Sequence, residues 1–217
     1  LYNSVKTVHI GLEEGALLSC SDGYTDKKPI VFYGSSITQG GCASRPGNSY
    51  QALISRRFNI DYFNFGFSGN ALGEKTMADY IAALPMSLFF LDFDHNSPNA
   101  EHLKAHHESF FLNIREKNPD LPVIMATKTD IPRSPAAEKS NAAHRAVVYD
   151  TYENAVKRGD RNVIFIDGAT VFSKALTLSA PADSCTVDGC HPNDLGFTLM
   201  AEGLECEIRR ALRDCEA

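Results

Sequence analysis

PIVFYGSSITQGG, residues 29–41, changes character halfway along. Pro29 to Tyr33 is apolar apart from one hydroxyl. A short apolar run that breaks abruptly into Gly and Ser reads as a strand buried on both faces, hence a central strand of a parallel sheet. Gly34, Ser35, Ser36, Ile37 and Thr38 follow at once, in the place where such a sheet presents functional groups, outside the carboxyl end of a strand. Ser36 is therefore the first candidate nucleophile. A turn with serine as a helix N-cap accounts for the same residues. A phosphate cradle on Gly34, Gly40 and Gly41 fits less well because no Gly-Lys-Ser/Thr follows. Thr38 stands where a G-x-S-x-G elbow would carry its second glycine.

Outward from this strand, helical and extended patterns alternate. Ser49–Phe58 spaces Tyr50, Leu53, Ile54 and Phe58 as a helix and leads into a strand over Ile60–Phe65, completing one β-α-β unit. Leu72–Leu84 carries Met77, Tyr80, Ile81 and Leu84 at helical spacing. Leu88–Phe93 is a third buried strand, and Ala100–Lys117 a helix stopped by Asn118-Pro119. Val123–Thr127 and Val163–Asp167 read as strands four and five, on either side of a long helix from about Ala136 to Arg158. Asp183–Pro192 is a loop, and Asn193–Leu212 a last helix with Leu195, Leu199, Leu204, Ile208 and Leu212 inward. The alternation predicts an α/β fold: a three-layer α/β/α sandwich on a five-stranded parallel sheet, flavodoxin-like order 2-1-3-4-5, with right-handed crossovers.

At 217 residues and 43% hydrophobic, the chain can bury one substantial core. A net charge of −6 without a clustered basic stripe argues against nucleic acid or an anionic membrane surface as partner. No apolar run is long enough to span a bilayer. The sequence opens without Met or a charged-then-apolar leader, and Val8, Ile10 and Leu12 alternate like a strand begun mid-pattern. Residues 1–22 are thus expected to be a remnant or linker of an upstream module, and residues 23–217 the main domain. Six cysteines, at 20, 42, 185, 190, 206 and 215, contain no C-x-x-C pair. Cys185 with Cys190, and Cys206 with Cys215, are close enough in sequence to bridge, while free thiols in a reducing compartment fit equally well.

In this topology Ser36 follows strand one, Gly69 strand two and Asn96 strand three, so all three belong to one carboxyl edge and face one crevice. Asp188 and His191, in VDGCHPNDLGF, lie in the loop before the last helix, from which the chain can reach the same edge. Serine is a weak nucleophile at neutral pH; it needs a base within hydrogen-bond reach, and the base needs a carboxylate to hold its tautomer and stabilise its charged form. Ser36, His191 and Asp188 supply those three roles. A tetrahedral intermediate also needs donors aimed at its oxyanion, and the Ser36 and Gly69 N–H groups and the Asn96 amide are suitable.

These residues resemble the blocks of the SGNH, or GDSL-type, hydrolases. Gly34-Ser35-Ser36-Ile37-Thr38 matches the first block, with Ser in place of its usual Asp. Asn64 and Gly69 match the second, an Asn and a Gly five residues on. Asp94-His95-Asn96-Ser97 stands where G-x-N-D is usual. Asp188 to Pro192 matches D-x-x-H-P without change. The resemblance spans residues 29–212 and is closest to a bacterial subgroup with D-x-D-H-N in block three, here Asp92 to Asn96, in which a β-rich module often precedes the hydrolase domain. It implies hydrolysis of an ester or thioester without a metal or other cofactor, and ranks acetyl esters of carbohydrates first. A lipase or thioesterase, or a carbohydrate-binding module of the same fold without catalysis, are the alternatives. It also favours a periplasmic or secreted protein acting on a small-molecule or glycan ester.

His102 and His106, four apart, share a helical face as metal ligands would, but no Glu occupies the H-E-x-x-H position, and solvated helix histidines are favoured. Asp92 and Asp94, at i and i+2 on one strand, point from one wall rather than flanking a scissile bond as a glycosidase pair must. Arg45 is a candidate for a substrate carboxylate or sugar hydroxyl, or for a salt bridge that orders its loop. His95 is placed beside the pocket, behind the groups that touch substrate.

Overall fold

The computed structural model describes residues 4–25, 28–129, 134–172 and 182–213. Five parallel strands form the sheet: β1 Ile30–Gly34, β2 Tyr62–Gly66, β3 Leu88–Asp92, β4 Val123–Ala126 and β5 Val163–Ile166, in the spatial order β2-β1-β3-β4-β5. β1 is central, as its unbroken apolar run requires, pairing Ile30 with Tyr62 on one side and with Leu88 on the other. Among the described residues, six α-helices connect and cover the sheet: α1 Ser36–Gln39, α2 Tyr50–Phe58, α3 Lys75–Ala82, α4 Ala100–Lys117, α5 Pro135–Lys157 and α6 Asp194–Arg213.

Alternation along β1 splits the core in two. Ile30 and Phe32 join the cluster under α2 and α6, with Tyr50, Ile54, Phe197 and Ile208. Val31 and Tyr33 join the cluster under α3, α4 and α5, with Ile81, Phe110, Ile114 and Val148. Side chains of one strand point alternately to opposite faces, so one strand seeds both layers.

Two sequence expectations are corrected here. Val8, Ile10 and Leu12 alternate, yet residues 4–25 form no strand, and these side chains are exposed. An alternating segment becomes a strand only when another strand's backbone takes its hydrogen bonds, and this one meets the body at its far end, where Thr25 N donates to Asn59 O at 2.8 Å. Leu195 of α6 is exposed rather than inward, and Tyr80, at helical spacing with Met77 and Ile81 in α3, is exposed as well. In α6 the expected positions Leu199, Leu204, Ile208 and Leu212 are buried, with Phe197, Met200 and Ala201 beside them, where α6 packs on α2; only Leu195, in the first turn, falls outside that stripe. Of the two cysteine pairings left open by the sequence, Cys185 and Cys190 do not bridge each other, and Cys215, the candidate partner of Cys206, lies outside the described residues.

Candidate active site

β1 ends at Gly34, where a Cβ would sit 2.1 Å from the Asp92 carbonyl oxygen, so only glycine lets the chain turn there against β3. The turn opens directly into α1. Ser35, not Ser36, caps this short helix, its Oγ accepting from Ile37 N at 3.2 Å. The hydroxyl of Ser36 is thereby left for another partner. Ser36 is 9% exposed and its Oγ lies 2.8 Å from His191 Nε2.

The His191 loop is closed by its own backbone. Val187 N donates to His191 O at 2.9 Å, Thr186 bridges Pro192, and Gly189 takes the left-handed conformation (φ +83°) that a side chain would strain. Asp188 Oδ1 accepts from Cys190 N at 2.9 Å and His191 N at 2.7 Å, which leaves Oδ2 to face His191 Nδ1 at 2.7 Å. These donors, the His191 backbone N–H foremost, pull the Asp188 carboxyl down to about 2. An ionised carboxylate there takes the Nδ1 proton in its hydrogen bond, and Nε2 is left as the acceptor facing Ser36.

Gly69 follows β2 in a left-handed turn (φ +69°). Asn96 closes the short helical turn Asp94–Asn96 after β3, and its Nδ2 donates to the Phe67 carbonyl at 2.8 Å. Asn64 holds the neighbouring layer: Nδ2 donates to Thr38 O at 2.8 Å while Oδ1 accepts from Gly66 N at 2.9 Å, tying β2 to α1. His95 is half-buried on the same turn as Asn96. Desolvation holds its imidazole well below the usual histidine range, and the charges of Lys128, His191 and His144 push the same way.

Three carboxylates take roles that the sequence did not disclose. Asp92, buried at the end of β3, accepts from Thr38 Oγ1 at 3.2 Å and from Tyr50 OH at 3.4 Å, so it holds α1 from beneath. Burial, and after it the charge of Asp94, raise its carboxyl well above the carboxylate range. Asp94, equally buried, accepts from Lys128 N at 3.0 Å. Neither carboxylate stands in an open cleft. Asp194, in the first turn of α6, accepts from Ser44 N and Asn48 Nδ2 at 2.9 Å and from Ser44 Oγ, joining the loop after Ser36 to the segment after His191. Arg45 is exposed on that loop, and its charge helps to keep Asp194 ionised. The signal for Asp194 was present in the sequence as an acid opening a helix, but a cross-chain partner is not legible there.

Cys42 is close enough to Asp188 for that charge to add to burial in raising its thiol. His102 and His106 stack at 4.2 Å, with His106 Nδ1 bonded to the His102 carbonyl. Among the described residues no three His, Cys, Asp or Glu side chains gather as metal ligands, and no helix is long and apolar enough to cross a membrane.

Known structures share this fold. A structure from Bacteroides ovatus described as a GDSL-like lipase is 32% identical, with a TM-score of 0.77 over 86% of this chain and 54% of its own. The salicylyl-acyltransferase of a tetracycline biosynthetic pathway is 26% identical, with a TM-score of 0.73 over 86% of this chain and 55% of its own. The chain therefore spans about half the length of these two. An acetyl-xylooligosaccharide esterase from a Geobacillus species has the same fold at 19% identity, with a TM-score of 0.63 over 86% of this chain and 95% of its own. No curated relative matches the sequence. Residues 27–209, from just before β1 nearly to the end of α6, match the sequence model of the GDSL-like Lipase/Acylhydrolase family. With the fold and most of the chain in agreement, this protein belongs to that family.

Proposed function

We propose that the protein is a serine hydrolase that cleaves short-chain acyl esters of carbohydrates, acetyl esters first. The observation that carries this is the unbroken line Ser36 Oγ, His191 Nε2, His191 Nδ1, Asp188 Oδ2, with successive contacts of 2.8 and 2.7 Å. His191 Nε2 takes the Ser36 proton as Oγ forms a bond to the acyl carbon, and the carbonyl π pair moves onto oxygen. That oxyanion accepts from the Ser36 and Gly69 N–H groups and from the Asn96 amide; the Ser36 N–H, at the first position of α1, has no intrahelical acceptor. Collapse breaks the bond to the alkoxy oxygen, which leaves with the proton from His191. Water, deprotonated by His191, then releases the acid from the acyl-Ser36 ester.

Ester chemistry is supported by the family and by neighbours described as lipases and esterases. The carbohydrate side rests on neighbours such as a family two carbohydrate esterase solved with cellohexaose and an esterase active on acetylated mannans. The salicylyl-acyltransferase favours a second outcome for the same acyl-enzyme, capture by an alcohol instead of water. The deciding measurement is turnover of p-nitrophenyl acetate, butyrate and octanoate and of acetylated sugars, with products identified. Acetate release that disappears in Ser36→Ala supports hydrolysis, and acyl transfer to an added alcohol supports the second outcome. A protein inert to every ester is a binding module.

A further inference from the structure

The loop after β2 makes its turn at residues 67–70, where Asn70 N donates to Phe67 O at 2.9 Å. Gly69, third in the turn, takes a left-handed φ of +69°, whereas Ser68 before it does not. That combination is a type II β-turn. Types I and II differ by a flip of the central peptide, here the one joining Ser68 to Gly69, and glycine admits both. The hydrogen bond that closes the turn leaves this peptide free to flip. The direction of the Gly69 N–H, one of the three proposed oxyanion donors, must therefore be set by another contact.

The peptide before it is clamped to the candidate site. Phe67 O accepts from Asn96 Nδ2 at 2.8 Å and Ser68 N donates to Gln39 Oε1 at 3.2 Å, two bonds on the opposite sides that a trans peptide presents. Gln39 ends α1, and a Cβ on Gly66 would lie 2.1 Å from Gln39 N, so the loop is seated directly on the helix that begins at Ser36. On the central peptide the clamp is Asn70, whose Nδ2 donates to Ser68 O at 2.6 Å. With that carbonyl turned to the Asn70 amide, the Gly69 N–H is directed away from it. Gly69 is exposed, and its N–H meets no acceptor among the described residues. A donor kept for a transient anion needs to be unoccupied and fixed in direction before the anion forms.

We propose that Asn70 is a positioning residue of the oxyanion hole: its amide holds the Ser68 carbonyl, keeps the turn in type II and so aims the Gly69 N–H. The assignment rests on the hydrolase reading above. Two measurements on wild type, Asn70→Ala and Asn70→Asp test it, aspartate having the shape of the amide without its N–H donors. In a type II turn the Ser68 Hα lies close to the Gly69 N–H, and in type I the two N–H groups approach each other instead, so nuclear Overhauser intensities report the flip. The hole is read from the ratio of kcat/KM for p-nitrophenyl acetate to that for its thiono analogue, with C=S in place of C=O, because sulfur is a weak acceptor. Both variants are expected to move intensity from the first contact to the second. The ratio is expected to fall roughly tenfold, less than the loss of about 10²–10³ for outright removal of a donor. A general loosening of the fold lowers both rates and leaves their ratio alone. Type II intensities retained in both variants overturn the proposal while leaving the hydrolase standing, as does a flip with an unchanged ratio. A wild type inert to both esters removes the hydrolase reading and the oxyanion role of Asn70 with it, and the Overhauser intensities then decide only whether Asn70 sets the turn.

Discussion

Asn96 Nδ2 donates to the Phe67 carbonyl at 2.8 Å, a bond that reaches from the turn after β3 to the loop after β2 across the end of β1, which lies between them. A primary amide has two N–H groups, and this bond uses one of them while fixing the plane of the other. The loop it anchors also carries Gly69, so two of the three proposed oxyanion donors are held by one contact.

Asn96→Ala is accordingly expected to lower kcat by roughly 10²–10³ with little change in KM, since the lost interaction strengthens mainly in the transition state. Asn96→Asp should be slower still, because it sets a carboxylate against the developing oxyanion. Steady-state kinetics on p-nitrophenyl acetate checks both. Nearly full kcat in Asn96→Ala, with loss on substitution of His95, would move the donor role elsewhere.

Asp188 both closes its loop through Oδ1 and faces the imidazole through Oδ2. Asp188→Asn keeps one acceptor oxygen but presents an amide to Nδ1 or to the backbone donors, so the tautomer that leaves Nε2 free is lost. A decrease in kcat on the order of 10³–10⁴ is expected, near the effect seen for such a change in other triads. Circular dichroism should show an intact fold, and because the carboxyl is held at about 2, the acid limb of the wild-type rate profile above pH 4 should not come from Asp188. A variant with wild-type kcat would remove Asp188 from the proposed mechanism.

Asp92 is the buried acceptor for two hydroxyls, Thr38 Oγ1 and Tyr50 OH. Asp92→Ala leaves both without it, at a cost of about 1–3 kcal/mol for each orphaned group, and loosens the helix that begins with Ser36. Asp92→Asn, with a carbonyl oxygen still available, should recover most of the stability and kcat. Urea denaturation and kinetics on the pair make the check; equal loss in both variants would mean that the acceptor geometry is not what matters. The raised carboxyl also has a sign. Above about pH 4 the unfolded Asp92 gives up a proton that the folded one keeps, so this group's contribution falls as pH rises toward its folded value.

His107 acts in the opposite sense. On the buried face of α4, with Nδ1 2.9 Å from Thr151 Oγ1, it is desolvated to a value of about 3. Between that value and about 6.5 the unfolded imidazole binds a proton that the folded one does not, so stability falls as pH is lowered through this window, by on the order of 1.4 kcal/mol per pH unit from this group. Urea midpoints at pH 7.5 and pH 5 should differ more in wild type than in His107→Gln. The same pH dependence in both proteins would assign it to other groups.

The strands were legible because each is a short apolar run cut off by Gly, Asn or Pro, and the helices between them because their apolar spacing is regular over many residues. The phase of those helices was legible except at particular positions. Tyr80 and Leu195 keep the period yet face solvent, since which side of a helix is buried depends on the neighbour it meets, here α4 for α3 and α2 for α6. Val8, Ile10 and Leu12 keep the period of a strand and find no strand partner among the described residues.

The sequence by itself determined the alternation of elements, and with it that Ser36, Gly69 and Asn96 follow three adjacent strands at one edge, because a parallel sheet built from right-handed crossovers leaves its loops no other place. It also determined the tight D-x-x-H turn, whose hydrogen bonds are all local. Only the tertiary structure decided which serine caps α1 and which faces His191, that Asn96 is held by Phe67, and that Asp92, Asp94 and Asp194 are fixed by Thr38, Lys128 and Ser44. Apart from the cap, those bonds join groups 29 to 155 residues apart. Hydrogen bonds that close in space record no spacing along the chain, and so leave no pattern in it to read.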